Sequence, residues 1–576
     1  MFKLFRYLKP YIGWILLLVA LVCAQVACDL KLPEYMAAIV DRGIMLRDMD
    51  VVRAEGIKMA AVALVSMACT MMVGYIAARV GSGFSQKIRE DVFTKVESFS
   101  IAEFNQFSTA SLITRSTNDV QQVQMVVILG LRMFISAPIT GVSAIFKALA
   151  IGRNMTWLMA LAVLAVMLMV VTLFVVAIPK FKMIQKNVDR LNLVTRENLT
   201  GLRVIRAFNT QQREEEKFDE ANKDLMKIQL FVNRLMSLMW PFMMIVMQLT
   251  AAAILWVGAH EMLDGSIMVG DMMAFMQYTM QVIVSFMMIT MVFIMFPRAA
   301  VSGDRINEVL GTEPTILDPV QSKRGKHNLR GTVEFRDVVF AYPGADEPVL
   351  QGISFTAKPG QTTAFIGSTG SGKSTLINLI PRFFDVTDGQ VLVDGVDVRD
   401  YTAEDLCAKI GYVPQQGILF SGTVGSNLRF GAPGASDEQM RTAARTAQAE
   451  EFIDKMEEGF DSPIAQGGQN VSGGQKQRLS IARAVVRDPE IYIFDDSFSA
   501  LDYRTDAALR KALAQSTEGA AVLIVAQRIS TILGADQIVV LDKGSMVGIG
   551  THSELLSSCE VYREIALSQL SEEELA

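Results

Sequence analysis

Two stretches carry residues whose types and spacing suit phosphate chemistry. In "TTAFIGSTGSGKSTLINLI" the pattern G-x-x-x-x-G-K-S runs from Gly367 to Ser374, between a β-rich run and a helical one. Glycines at such positions let backbone N–H groups turn inward around phosphate oxygens, and the following helix adds a positive partial charge at its N-terminus. Gly367, Ser368, Thr369, Gly370, Ser371, Gly372, Lys373, Ser374 and Thr375 are therefore the expected cradle for a nucleoside triphosphate. Lys373 is expected to reach the β- and γ-phosphates, and the Ser374 hydroxyl to bind Mg²⁺. The second stretch is "IYIFDDSFSALD", Ile491 to Asp502, where four apolar residues lead to Asp495 and Asp496 follows at once. It reads as a buried strand ending in a loop that handles magnesium and phosphate.

The rest of the chain must hold these residues in place. Its 576 residues allow roughly three or four folding units. The hydrophobic fraction of 51% exceeds soluble norms, and the excess lies in the first half. A net charge of −6 is small for this length and points away from a nucleic-acid partner. Cys23, Cys28, Cys69, Cys407 and Cys559 form no metal-spaced set and read as unpaired packing residues. His260, His327 and His552 are isolated and read as structural or solvated.

Six apolar segments are long enough to span a bilayer, for which about 20 residues suffice. They fall near Tyr11–Leu32, Ile57–Val80, Met133–Gly152, Met155–Ile178, Leu235–Ala259 and Ile267–Phe296. An even number of spans places both termini on one side. Lys3, Arg6 and Lys9 before span 1, with Lys180, Lys182, Lys186 and Arg190 after span 4, assign that side to the cytosol. The first apolar run is too long for a signal peptide, and "MFKLFRYL" reads either as an interfacial helix with Phe2, Phe5 and Leu8 toward lipid or as a plain basic flank. Helical periodicity continues through the polar stretches 81–130 and 181–233, so spans 2 to 5 are expected to extend into the cytosol. The expected architecture is an all-α membrane domain of six helices over 1–310, a linker over 311–330 and a cytosolic α/β P-loop domain over 331–576.

"VSGGQKQR", Val471 to Arg478, narrows the class of nucleotide-binding protein. Ser472, Gly473, Gly474 and Gln475 would open a helix whose N-terminus can face an anion. With this motif the sequence resembles the ATP-binding-cassette (ABC) transporter family, specifically exporters whose membrane and nucleotide-binding domains share one chain. The resemblance covers essentially all residues, with the motifs in family order. It implies ATP and Mg²⁺ as cofactors, Tyr342 stacked on adenine, Gln415 in contact with Mg²⁺ and sensing the γ-phosphate, and Asp495 on the Mg²⁺ side. Ser499 to Asp502 matches the loop that crosses to the partner. Two nucleotide domains are then expected head to tail, each ATP lying between one chain's cradle and the other chain's SGGQ helix. "NQFST" near Asn105 and "FNTQQREEE" near Phe208 fall where the family has coupling helices, although each also reads as a solvated helix end.

Three departures from the family pattern stand out. The catalytic glutamate after the Walker B aspartate is Asp496 here, its carboxylate about 1.5 Å further back, one C–C bond. The switch histidine is Gln527, which can donate a hydrogen bond but cannot carry a proton or positive charge. Gln466 and Gly467 replace a Glu-Arg pair before the signature. Departures at both positions acting on one γ-phosphate predict a site that binds ATP and hydrolyses it slowly. The intact SGGQ motif would still complete a partner's site. This combination resembles the degenerate-site subunit of heterodimeric multidrug exporters of the bacterial plasma membrane. A slow homodimer, an importer on the same fold and a nucleotide-gated channel or regulatory subunit remain alternatives. For cargo, Gln248, Gln277 and Gln281 are candidate lining residues of a membrane cavity, because polar groups inside a bilayer tend to face one. The methionines of spans 5 and 6 suit either packing or a promiscuous apolar surface. Membrane lipid and a small amphipathic substrate are the expected further partners.

Overall fold

A computed structural model describes residues 2–323, 325 and 327–570. The chain forms two compact units: Met1–Glu97 with Thr109–Thr312, and Ser98–Ser108 with Glu313–Ala576.

Among the described residues of the first unit, six helices are long and apolar enough to cross a membrane: Lys3–Ile44, Met49–Glu97, Thr109–Ile151, Arg153–Thr200, Gln211–Leu263 and Val269–Gly311. Hydrocarbon offers backbone groups no hydrogen-bond partner, so apolar stretches of this length close their bonds within a helix. The fifth has 53 residues, which at 1.5 Å rise is about 80 Å, far beyond a hydrocarbon core of about 30 Å. Helix therefore continues through the polar stretches, as periodicity predicts. The core of this unit joins Leu18, Val22 and Val26 of the first helix to Val73, Ile76 and Val80 of the second and to Phe275, Tyr278 and Val282 of the sixth. Gly270 lets the sixth helix approach the first. A Cβ there would lie 2.5 Å from the Ala37 carbonyl oxygen, and the Gly270 N–H donates to Asp41 Oδ1 at 2.7 Å. In the N-terminal 3-10 helix Phe2–Tyr11, Leu4 is fully buried, Leu8 packs against this core rather than facing lipid, and Phe5 is half-buried. The Phe2 side chain lies outside the described residues.

The second unit is built on a six-stranded sheet. Its strands run in the order Ser545–Gly550, Gln537–Asp542, Thr362–Gly367, Ala521–Val525, Ile491–Asp495 and Ile410–Val413. All pairings are parallel except that of the Ser545–Gly550 edge. Ala521–Val525 and Ile491–Asp495 are buried at every position, which matches their unbroken apolar sequences and a sheet covered on both faces. A four-stranded antiparallel sheet, in the order Leu350–Ala357, Val333–Phe340, Asp388–Val393, Val396–Asp397, packs a second apolar core against it. Parallel topology gathers the C-terminal ends of four neighbouring strands at one edge, where open α/β sheets bind ligands. Those ends lead to Gly367, Gln527, Asp496 and Gln415.

Ser98–Ser108 joins this unit although its place in the sequence is between the second and third spanning helices. Ile101 and Ala102 pack against the second core, an insertion that a single division of the chain near residue 310 leaves out.

Candidate nucleotide-binding site

The cradle forms where the strand Thr362–Gly367 turns into the helix Lys373–Asn378. Gly367 has φ +158° and a Cβ there would meet the Leu541 carbonyl oxygen at 2.0 Å; Gly372 has φ +95° and meets Leu350 at 2.7 Å. Both positions exclude side chains for backbone reasons. Lys373 Nζ folds back over the loop and donates to the carbonyl oxygens of Gly367 (2.9 Å) and Ser368 (2.8 Å). Burial pushes the Lys373 ammonium below its ordinary pKa, against the pull of Asp496 and Asp495. A cation held near two acids by the loop's own carbonyls is placed to change partner for phosphate oxygens. A cavity of about 500 Å³ opens here, lined among others by Gly370, Lys373, Ser374, Gln415, Asp496 and Gln527.

Asp495 is 5% exposed and accepts a hydrogen bond from Ser374 Oγ at 2.8 Å. Burial raises its pKa and the neighbouring Asp496 adds to this, while the Ser374 hydroxyl and Lys373 act the other way. Ser374 and Asp495 are hard oxygen donors in direct contact, and Gln415, which also carries an amide oxygen, lines the same cavity as Ser374. Such a set fits Mg²⁺, which takes few protein ligands and completes its shell with water and phosphate. Bound there, the ion would neutralise phosphate charge, and these three residues would hold it.

Asp496 stands apart. Its φ of +45° is left-handed, a conformation in which aspartate is several-fold enriched. Its Oδ2 accepts from Gln527 Nε2 at 2.7 Å and from Gln415 Nε2 at 3.2 Å. Burial pushes its carboxyl pKa up, opposed by hydrogen bonds from Gln415 and Ser499 and by the charges of Lys373 and Arg528. One carboxylate oxygen thus already holds two amide donors.

The structure also places the remaining predicted residues. Tyr342 OH lies 2.9 Å from Thr375 Oγ1, and its ring sits edge-on to Phe340 and Phe384. Ser368, Thr369 and Thr375 line the cavity, and Ser371 is buried beneath the loop with Lys373 Nζ 3.4 Å from its hydroxyl. Ser472 caps the helix Gly473–Val485: its Oγ accepts from Gln475 N at 3.3 Å, and its own N–H donates to Gln475 Oε1 at 2.8 Å. Asp502 caps the helix Tyr503–Ser516 through Thr505 N at 3.0 Å. Among the described residues, the signature group is not part of the cavity wall around Lys373.

Sequence reasoning missed Gln569. Past the end of the helix Glu560–Leu567, it donates to the Gln527 carbonyl oxygen at 2.8 Å and accepts from Ile529 N at 2.8 Å. It also lines the cavity with Ile565 and Ser568. Its amide fixes the backbone on both sides of Arg528, and no local motif advertises this.

Comparison with known proteins agrees with this geometry. The ABC transporter transmembrane region family matches residues 14–286, and the ABC transporter family matches residues 350–499. An uncharacterised ABC transporter ATP-binding protein of Mycobacterium tuberculosis is 40% identical over 98% of this chain and 97% of its own length. The ATP-dependent lipid A-core flippase of Syntrophus aciditrophicus is 31% identical over 97% of this chain and 92% of its own. The solved structure of a bacterial Atm1-family ABC exporter with ATP bound matches with a TM-score of 0.79 at 25% identity, covering 98% of this chain and 99% of that one. With six helices able to cross a membrane, a P-loop ATPase unit and relatives of this likeness along nearly its whole length, the chain belongs to the ABC transporter family, as an integral-membrane half-transporter of exporter type.

Proposed function

We propose that this half-transporter pairs with a different half-transporter chain, holds ATP at its own slow site and completes the partner's fast one. The observation that carries this is the state of Asp496. Its Oδ2 is shared by the amides of Gln527 and Gln415, and both donors are neutral groups that cannot relay a proton. A carboxylate so occupied, and one methylene short, is a poor base for an attacking water. Loss of general-base help typically costs about 10²–10⁴ in rate.

The signature supports the other half of the reading. A Cβ at Gly473 would meet nothing within 4 Å, and at Gly474 only ordinary contacts with Ala500 and Leu501. Packing within the chain does not require glycine at either position. A bare helix start, with Ser472 and Gly473 exposed, suits close approach of a phosphate held by another chain. The family's head-to-tail arrangement supplies such a phosphate.

The transport reading is ATP-driven movement of amphipathic or hydrophobic molecules across a bacterial plasma membrane, with both termini and the ATPase unit in the cytosol. The bacterial relatives support that setting, and the flippase relative supports a lipid-like cargo. In the sixth helix, Gln281 Oε1 is buried with no hydrogen-bond partner among the described residues. A buried amide oxygen costs about 1–3 kcal/mol when unsatisfied, so a donor from cargo or from the partner chain would be stabilising there.

Tagged chain purified from membranes of its native host is expected to carry a second half-transporter of similar mass in 1:1 ratio. Recovery of this chain paired only with itself, active in ATP hydrolysis, would replace the heterodimer by a homodimer.

A further inference from the structure

Glu103 lies in the helix Ile101–Gln106, on the segment built into the nucleotide unit. It is 5% exposed, and its two oxygens have different partners. Oε2 accepts from the Ser100 N–H at 2.8 Å and from the Ser100 hydroxyl at 2.6 Å, closing a capping box. Oε1 accepts from the Thr315 hydroxyl at 2.7 Å and the Thr315 N–H at 3.3 Å. A capping box needs one oxygen and is served equally by glutamine. The second oxygen is doing something else: it ties this helix to a residue 212 positions away. Four donors converge on the carboxylate, two on each oxygen, so an amide would turn its own NH₂ against one pair of them. Burial pushes the Glu103 carboxyl up, but the donors from Ser100 and Thr315 outweigh that and hold it below the ordinary value.

Thr315 begins a strap that the chain follows after its last spanning helix ends at Gly311. The strap is fastened at successive points. Arg382 Nη1 donates to the Leu317 carbonyl at 3.3 Å, Ala403 N to Asp318 Oδ1 at 3.0 Å, and Thr402 N to Ser322 Oγ at 3.3 Å. Lys323 then bonds Asp400 through its backbone at 3.0 Å and its ammonium at 2.8 Å. Residues 400–403 lead into the helix Ala403–Ala408 and the edge strand Ile410–Val413. That strand exits toward Gln415, whose amide touches Asp496. That strand is an edge of the six-stranded sheet, paired on one side only.

The geometry points to Glu103 as a positioning residue for coupling: its carboxylate locks the segment between the second and third spanning helices to the strap from the sixth, so that both act together on the strand leading to Gln415. The inference rests on ATP-driven transport and not on whether the chain's own site is slow.

The test uses the assembled transporter in liposomes. Hydrogen–deuterium exchange of peptides from the spanning helices is read with and without a non-hydrolysable ATP analogue, and analogue affinity is measured alongside. In Glu103→Gln and Thr315→Val the analogue-induced change in exchange should shrink roughly fivefold or more, the usual size of a coupling term, while analogue affinity stays within about twofold. Thr315→Ser keeps the hydroxyl and should restore the change. A merely structural contact would lower affinity and thermal stability together and leave the induced change intact in the folded fraction; that result overturns the proposal. If Glu103→Gln does not fold, Thr315→Val against Thr315→Ser decides alone, and equal responses overturn it.

Discussion

Gly474→Glu is expected to remove nearly all ATPase activity from the assembled transporter, whereas Asp496→Asn should leave most of it. A side chain at Gly474 meets only ordinary contacts, 3.5 Å to Ala500 O and 3.6 Å to Leu501, so the chain should still fold. In the head-to-tail arrangement the new carboxylate would face the γ-phosphate held by the partner. Like charges in one closed interface cost several kcal/mol, on the order of a 10²-fold loss or more. Asp496→Asn alters only a site where little turnover is expected, and an amide there can still bond Gln415 and Gln527. The comparison needs steady-state rates of both variants in one preparation. Equal damage from the two would make Asp496 a working base.

Asp496→Glu combined with Gln527→His should accelerate hydrolysis at this chain's own site, with a ceiling of about 10²–10⁴-fold, the usual worth of a general base. The longer carboxylate recovers about 1.5 Å of reach. Replacing Gln527 frees the oxygen that its amide holds at 2.7 Å and restores a group that can carry charge. The left-handed backbone at 496 opposes part of this gain, because aspartate tolerates φ +45° better than glutamate. Either change alone should do less: glutamate beside Gln527 keeps its amide donor, and histidine beside Asp496 lacks a base in reach. Single-turnover rates of the double variant are read against those of the unaltered complex in one preparation. An unchanged rate would mean that something other than these two residues limits the site.

Much of this was legible from the chain. Apolar runs such as "IYIF" and "AVLIVA" are strands because parallel strands covered on both faces need no alternation, and the glycine and lysine spacing of the cradle follows from backbone geometry around phosphate. Six spanning helices follow from apolar length alone. The sequence also flagged Asp496 and Gln527 as two departures acting on one γ-phosphate, but the direct 2.7 Å bond between their side chains is visible only in the fold. What stayed hidden depends on long-range contacts. Ser100 and Glu103 carry a visible capping-box spacing, yet nothing local points to Thr315. Gln569 follows an ordinary C-terminal helix, and its two bonds around Arg528 have no counterpart in composition or period. Leu8 looked lipid-facing because helical periodicity cannot distinguish lipid from a neighbouring helix.

A slow site of its own and a signature that works for another chain set one expectation apart from all others. Steady-state Mg²⁺-dependent ATP hydrolysis by the purified chain alone in lipid, set against the complex with its partner, tests this most directly. The chain alone is expected to turn over about 10²-fold or more slowly than the complex, with ATP still bound, in keeping with the loss of a general base. Rapid turnover by this chain without any partner would contradict it.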